Sequence, residues 1–276
     1  MAIPVMPQSD ALAMITAGRT DVGRVRSRNE DAFSISEETG LALVCDGMGG
    51  HAGGDVASRT AAEAILDFVA EFQGTSIGLT GNGGAGHPDD TMDTGARGTA
   101  SVVRSAVQLA NQRLLDLNRE RGLPDGRGMG TTVVGLCRVA DADRLVAFHA
   151  GDSRLYRWRN GELRQLTRDH SLYQHWLDQG GRGTAPQRNI IMRALGTSPD
   201  LDPEIGVYGV RPGDLFLLCS DGLTTMLADE SIATILESAQ SRGLDETCER
   251  LIAVANERGG LDNITVVLAH FRSAGA

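Results

Sequence analysis

The stretch LALVCDGMGGHAGG, Leu41–Gly54, is the part of the sequence that decides the fold. An apolar run typical of a buried strand ends at the carboxylate of Asp46, and the loop after it is rich in glycine and contains His51. Residues 47–52 match the pattern G-x-G-x-x-G/A, so a dinucleotide loop is one interpretation. In the other, Asp46 is a metal ligand and the glycines let the backbone approach the ion. The rest of the chain has to decide between them.

Length and charge exclude several classes of function. The 276 residues suffice for one large domain or two small ones. With 26 Lys and Arg against 36 Asp and Glu, the formal net charge is −10, which argues against binding to nucleic acid or to a membrane surface. The N-terminus lacks the basic and apolar segments of a secretory signal, and no apolar run reaches the ~18 residues of a membrane span.

The cysteines indicate the redox setting. None of the four is spaced C-x-x-C; three lie in strand-like apolar runs and one on a helix face, as buried reduced thiols do. They are Cys45, Cys137, Cys219 and Cys248. The sequence therefore predicts structural thiols and a cytoplasmic protein.

The order of predicted elements favours an antiparallel sandwich. Strands are predicted at 13–20, 32–36, 41–45, 131–139, 144–149, 154–159, 162–167, 205–209, 215–219 and 263–271, and helices near 54–72, 100–121, 171–179, 229–239 and 245–257. Asn160 and Gly161, between the strands at 154–159 and 162–167, predict a two-residue hairpin. Strands in hairpin-like runs and helices in pairs do not fit the alternation of a doubly wound fold. We expect an N-terminal tail, 1–12, one domain, 13–272, and an exposed Gly-rich loop, 73–98.

Four aspartates lie at the ends of core strands. Asp46, Asp152 and Asp221 each follow an apolar strand, and Asp262 opens the last one. A single aspartate there is usually a turn residue, but four that meet need a cation or must be protonated. Oxygen ligands favour Mg²⁺ or Mn²⁺. The dinucleotide interpretation weakens, because an acid at the mouth of the loop would repel a pyrophosphate.

Seven motifs, in this order, carry a resemblance to a known family. They are VRSRNEDAF, LVCDGMGGHAGG, GTTVV, HAGDSRLYRWRNGEL, LTRDHSL, SDGL and DNITVVL. Together they resemble the metal-dependent protein phosphatases of the protein phosphatase 2C type, in particular the bacterial serine/threonine phosphatases. The resemblance extends from about Met14 to Phe271, nearly the whole chain.

The resemblance implies a fold and a reaction. The fold is α+β, a four-layer α-β-β-α sandwich with two central antiparallel sheets flanked by helix pairs. The reaction is hydrolysis of phosphoserine and phosphothreonine by a hydroxide that bridges two metal ions. The cofactors are Mn²⁺ or Mg²⁺, two ions bound tightly and a third bound more weakly.

The resemblance also assigns the ligands of the two tight ions. Asp46 is expected to bridge them, and the carbonyl of Gly47 to bind one of them. Asp221 and Asp262 are expected to bind the other. These four positions form the predicted two-metal site.

Further roles follow from the same resemblance. Glu30 and Asp31 are expected to hold metal-bound waters, and Asp152 to bind the third ion. Arg26 is the expected phosphate-binding and catalytic arginine, whereas its neighbour Arg28 is interpreted as a surface charge.

The chain departs from the family pattern at two places. Met48 stands where many eukaryotic relatives carry a histidine proposed as general acid, so the proton would come from metal-bound water or from His51. The flap region, 168–196, is shortened and rich in glycine, which puts substrate selection by the flap in doubt but not the chemistry.

The expected partners are phosphoprotein substrates and a cognate serine/threonine kinase, with no nucleic acid and no membrane, and the protein is expected to be a monomer. The alternative is a catalytically silent pseudophosphatase that binds phosphoproteins. Such a protein would be expected to lack one or more of the metal-binding acids, and all of them are present here.

Overall fold

Two antiparallel β-sheets, packed face to face, form the centre of the molecule. The computed structural model describes residues 12–49, 53–75, 94–123, 128–140 and 142–273. Within them the strands are β1 (Leu12–Asp21), β2 (Asp31–Ser36), β3 (Leu41–Met48), β4 (Gly130–Thr131), β5 (Val133–Arg138), β6 (Arg144–Ala150), β7 (Arg154–Arg159), β8 (Glu162–Gln165), β9 (Glu204–Gly209), β10 (Leu215–Cys219) and β11 (Ile264–Ser273). The helices are α1 (Gly54–Thr75), α2 (Thr94–Glu120), α3 (Leu172–Asp178), α4 (Asp221–Met226), α5 (Asp229–Glu237), α6 (Ala239–Arg242) and α7 (Leu244–Glu257).

The strand order divides the chain between two sheets. The first sheet has the order β1-β11-β10-β7-β8, and the second has the order β2-β3-β5-β6-β9, with β4 paired to β3. Every pair in both sheets is antiparallel. A core of side chains from both sheets fills the space between them, and within it Phe216 meets Phe271 edge to face at 5.5 Å between ring centroids.

The apolar run of β3 does not alternate with polar residues, and the burial of the strand explains why. Leu41, Leu43 and Cys45 belong to the core beneath the helices, whereas Ala42 and Val44 belong to the core between the sheets. All five are fully buried. A strand covered on both faces needs apolar residues at every position.

Helices cover both outer faces, which completes the four layers. Small buried residues of α1, such as Ala57, Ala61 and Ala64, pack with α2 and the second sheet. Residues of α4, α5 and α7 pack on the first sheet. The expected α-β-β-α sandwich is confirmed. Within the described residues, no helix is long and apolar enough to cross a membrane.

Several boundaries differ from the sequence-based prediction. Helix α1 continues to Thr75 and α2 begins at Thr94, so the loop expected at 73–98 is wrong at both ends, and residues 76–93 lie outside the described part. The early start of α2 follows from packing, because Ala96 is buried beside Val139 and Val146. Leu12, assigned to the tail, is the first residue of β1.

Two local predictions are confirmed. Asn160 and Gly161 connect β7 and β8 with φ angles of 52° and 83°, as a two-residue hairpin of this composition requires. The four cysteines are buried and unbridged.

Candidate metal centre

Acidic residues from both sheets converge at one edge of the sandwich. Asp31 and Asp46 lie directly opposite each other on β2 and β3, in the second sheet. Asp221 follows β10 and Asp262 precedes β11, in the first sheet. The charges of Asp31, Asp221, Asp152 and Asp262 all raise the pKa of Asp46, although its burial is the largest cause. The strand-end acids that the sequence singled out therefore share one site.

The two carboxylate oxygens of Asp31 have different surroundings. Its Oδ2 accepts hydrogen bonds from Ser220 Oγ at 2.7 Å and Thr265 Oγ1 at 2.6 Å. Its Oδ1 is buried with no hydrogen-bond partner among the described residues. Burial raises the pKa of Asp31 to about 7, against the effect of the two hydroxyl donors. A buried oxygen without a partner is costly, and a cation or its water ligands would satisfy it.

Asp152, like Asp31, has a carboxylate oxygen that is left unsatisfied. Its Oδ1 is also buried and unpartnered within the described ranges. Burial, followed by the charges of Asp221 and Asp169, raises the pKa of Asp152 to about 7. The residue before it, Gly151, has a φ of 122° and fits against Thr132, where a side chain would clash.

Asp46 is fixed by the strand that follows α2. Thr131 Oγ1 and the backbone N–H of Thr132 both donate to the carbonyl oxygen of Asp46, each at 2.9 Å. The N–H of Asp46 donates to Thr132 Oγ1 at 3.0 Å. Sequence reasoning did not assign these threonines a role, although the motif GTTVV that contains them was recognised.

The glycine after Asp46 is required by close backbone packing. The N–H of Gly47 donates to the carbonyl oxygen of Glu30 at 3.1 Å. A Cβ at this position would lie 2.2 Å from the carbonyl oxygen of Gly54 and 2.4 Å from that of Glu30. A Cβ on Gly54 would lie 2.8 Å from the Glu30 carboxyl carbon, so this carboxyl group lies against the start of α1.

Arg26 lies at the exposed rim of the centre. Its guanidinium is 2.7 Å from a carboxylate oxygen of Asp262, and the two side chains are 51% and 34% exposed. The charge of Arg26 also opposes the rise in the pKa of Asp221, which burial and Asp262 cause. The arginine is thus close to the acids and still reachable from solvent.

Asn263 is a structural residue of the centre that sequence reasoning missed. Its Oδ1 accepts the N–H of Glu30 at 2.8 Å, and its Nδ2 donates to the carbonyl oxygens of Val22 at 2.9 Å and Arg28 at 2.8 Å. One buried side chain therefore connects the start of β11 to the loop before β2. Its place beside Asp262 in the motif DNITVVL was the available signal.

A second group of possible ligands lies behind Asp152. Ligand atoms of His149, His170 and Glu204 lie within 4.8 Å of one another, although their sequence spacing gave no sign of it. The two imidazole rings are stacked, 4.4 Å apart and 12° from parallel. Ring-nitrogen lone pairs in parallel planes do not converge on one ion, so this group serves as support. His170 Nδ1 accepts the N–H of Gly151 at 3.3 Å.

The donor set of the centre suits a hard divalent cation. It consists of carboxylates and backbone carbonyls, the oxygen ligands that Mg²⁺ and Mn²⁺ prefer, and it leaves two buried carboxylate oxygens unsatisfied. An α-β-β-α sandwich with such a centre at its edge defines a metal-dependent phosphatase. The family model described as protein phosphatase 2C matches residues 22–264, and the chain belongs to that family.

Individual relatives agree with this assignment. A putative protein phosphatase 2C-type of Streptococcus pyogenes is 35% identical over 263 residues, which cover 92% of this chain and 96% of that protein. The serine/threonine phosphatase stp of Listeria monocytogenes is 37% identical over 258 residues, covering 91% and 93%. The crystal structure of the catalytic domain of PstP with two manganese ions matches with a TM-score of 0.76 and 33% identity, covering 95% of this chain and all of that one.

Proposed function

We propose that this chain hydrolyses phosphoserine and phosphothreonine in proteins, with Mn²⁺ or Mg²⁺ as cofactor. One observation carries the proposal, the convergence of carboxylates from both sheets on one edge, with the exposed guanidinium of Arg26 beside them. The residues fit the metal ions of the family, because buried acids of like charge need cations or protons.

The two tight ions are assigned to four residues. We assign Asp46 and the carbonyl of Gly47, from β3, and Asp221 and Asp262, from the other sheet, as the ligands of these ions. Such ions, when bound, act as Lewis acids toward the phosphate and lower the pKa of water to make a nucleophile. The carboxylates would fix where the ions bind.

Three further acids have supporting roles. Glu30 and Asp31 are proposed to accept hydrogen bonds from water in the centre, since Asp31 has one buried oxygen free. Asp152 is proposed to bind a third, weaker ion. Its unpartnered buried oxygen and the nearby charge of Asp221 support this assignment.

Arg26 is proposed to exchange partners when substrate arrives. In the structure its guanidinium pairs with Asp262. A bound metal would neutralise that carboxylate, which frees the guanidinium to donate two parallel hydrogen bonds to phosphate oxygens. It would hold the phosphate in place and stabilise the charge that develops during attack.

The side chain of Met48 cannot donate a proton to the leaving oxygen. His51 lies outside the described residues. We propose that water of the centre, positioned by the surrounding acids, supplies this proton, with His51 as the alternative.

The biological setting is part of the proposal. The substrates are phosphoproteins, and a serine/threonine kinase is the expected opposing enzyme. We further propose that the protein is cytoplasmic, since its four buried thiols are unbridged. The proposal that it is a monomer rests on the family resemblance alone.

The test is hydrolysis of p-nitrophenyl phosphate and of a phosphothreonine peptide by metal-stripped protein, before and after adding Mn²⁺ or Mg²⁺. We expect turnover only with metal, and its loss on adding EDTA. Asp116→Asn, which alters an exposed acid on α2, is the matched control and should behave as the wild type. Full turnover by metal-stripped protein in EDTA would contradict the proposal, and binding of the phosphopeptide without turnover would indicate a pseudophosphatase.

A further inference from the structure

An exposed surface beside the centre combines apolar and basic side chains. It consists of Val22, Arg24, Val25, Arg28 and Leu261, and we call it the rim surface. Val25 is 65% exposed and Leu261 is 54% exposed. Exposed aliphatic side chains grouped together are typical of a surface that binds another molecule.

Backbone hydrogen bonds fix the rim surface against the metal centre. The N–H of Arg24 donates to the carbonyl oxygen of Gly260 at 2.7 Å. A Cβ on Gly260 would lie 2.9 Å from Arg24 Cγ, so the arginine stem lies over this glycine. Leu261 follows directly, and Asp262 comes next and pairs with Arg26. The rim surface is therefore continuous with the phosphate-binding side of the centre.

The charge of the rim surface is opposite to that of the whole chain. The segment 22–28 contains three arginines and no acid, whereas the net charge of the protein is −10. Arg26 pairs with Asp262, but Arg24 and Arg28 are exposed and form no ion pair with a described carboxylate. Two uncompensated guanidinium groups attract anionic side chains of a partner.

We propose that the rim surface binds the residues next to the phosphorylated serine or threonine, and that it selects phosphopeptides with acidic and apolar neighbours. This inference rests on the proposed function and specifies its substrate class. A phosphate held at Arg26 brings the adjoining peptide over Arg24, Val25 and Arg28. The guanidinium groups pair with Asp or Glu of the peptide, and Val25 with Leu261 covers an apolar side chain.

The experiment compares phosphothreonine peptides of equal length in the Mn²⁺-loaded enzyme. One set has acidic residues before or after the phosphothreonine, and the matched set has Asn and Gln at the same positions. We expect kcat/KM to be about threefold to tenfold higher for an acidic peptide, the range that two exposed ion pairs supply. The preference should shrink as ionic strength rises.

Variants identify the side chains responsible. The double variant Arg24→Gln/Arg28→Gln should reduce the ratio of kcat/KM for acidic and neutral peptides to about one. Val25→Ser should lower kcat/KM for peptides with an apolar neighbour relative to those with serine there. Arg211→Gln is the matched control, because Arg211 is exposed near the start of β10, at the other end of that strand from Asp221.

Each outcome supports or overturns the inference. Equal rates for acidic and neutral peptides in the wild type would overturn it, as would a preference that persists in the double variant or falls equally in Arg211→Gln. Melting temperatures confirm that the variants are folded. Hydrolysis without discrimination contradicts this inference alone, whereas absence of hydrolysis of every peptide contradicts the proposed function.

Discussion

Asp31 and Asp46 lie directly opposite each other on neighbouring antiparallel strands, with both side chains at the buried edge of the second sheet. Like charges in such a cross-strand pair destabilise a sheet. Burial raises the pKa of both carboxyl groups, which favours their protonated forms when no cation is bound. The pair is thus adapted to a site that binds positive charge.

Removing one ligand charge should abolish activity without unfolding the protein. Asp46→Asn and Asp221→Asn are each expected to lower kcat by several orders of magnitude, because each loses a carboxylate of the centre. The metal-free variants should melt no lower than the wild type, since a buried charge is removed. Kinetics with p-nitrophenyl phosphate and calorimetric metal titration check this. Near-normal rates with unchanged metal binding would show that the ligand assignment is wrong.

Arg26→Ala should weaken phosphate engagement. We expect a higher KM and a smaller fall in kcat, about tenfold to a hundredfold in kcat/KM, since hydrogen bonds to charged groups contribute about 1.5–3 kcal/mol. Metal binding should persist, which calorimetry can measure. The control is Arg242→Ala, which breaks an exposed ion pair with Glu246. Unchanged kinetics for both a small ester and a phosphopeptide would indicate that Arg26 is only a surface residue.

Asp152→Asn tests the third ion. The variant should keep two tightly bound Mn²⁺ ions but lose most of its turnover, and excess Mn²⁺ should not restore the rate. Calorimetry measures the tight sites and steady-state kinetics the turnover. Normal turnover at low Mn²⁺ would assign Asp152 to the turn before β7 and nothing more.

The stability of metal-free protein should depend on pH through the raised pKa of Asp152. Between the ordinary carboxyl pKa of 3.8 and the folded value of about 7, the folded state holds more protons than the unfolded one. This contribution therefore stabilises the fold at low pH and is lost as pH rises through that window. Saturating Mn²⁺ should raise the melting temperature more near pH 7.5 than near pH 5, because fewer protons then compete for the carboxylates.

The measurement is a series of melting curves from pH 5 to 8, for the wild type and Asp152→Asn. The difference between the two isolates the carboxyl group from His149 and His170, whose pKa burial lowers and whose effect has the opposite sign. An equal slope in both proteins would contradict the prediction.

Gly222→Ala should disturb the centre without removing any of its proposed ligands. A Cβ at this position would lie 1.9 Å from the carbonyl oxygen of Asn263, so the backbone next to Asp221 must shift. We expect weaker Mn²⁺ binding and a loss of about 1–3 kcal/mol in the free energy of unfolding, the usual cost of overpacking. The control is Gly209→Ala, where nothing lies within 4 Å. Equal behaviour of the two variants would show that this contact does not fix Asp221.

Those parts of the fold and the site that depend on local signals could be predicted from the sequence. The hairpin at Asn160 and Gly161 follows from the backbone preferences of two residues. The four aspartates at the ends of core strands could be recognised because hydropathy changes sharply there. These signals predicted the order of strands, the antiparallel sandwich and the acids that meet.

Contacts between distant segments could not be inferred in this way. Glu30 and Asn263 are 233 residues apart and connected by one hydrogen bond. The stacked imidazoles of His149 and His170 depend on how the flap folds back on β6. Helix α4 also escaped prediction, since six residues give too little periodicity. Such features depend on tertiary packing, which no short window of sequence contains.

The position of β11 determines when the centre can form during synthesis. This strand lies between β1 and β10, so the middle of the first sheet is filled by residues 264–273. Asp46 and Asp31 emerge from the ribosome more than two hundred residues before Asp262. Until β11 has emerged, β1 has no partner strand in its sheet, and this sheet cannot position Asp221 and Asp262. We therefore expect the half of the centre on the first sheet to be completed only after this strand has been made.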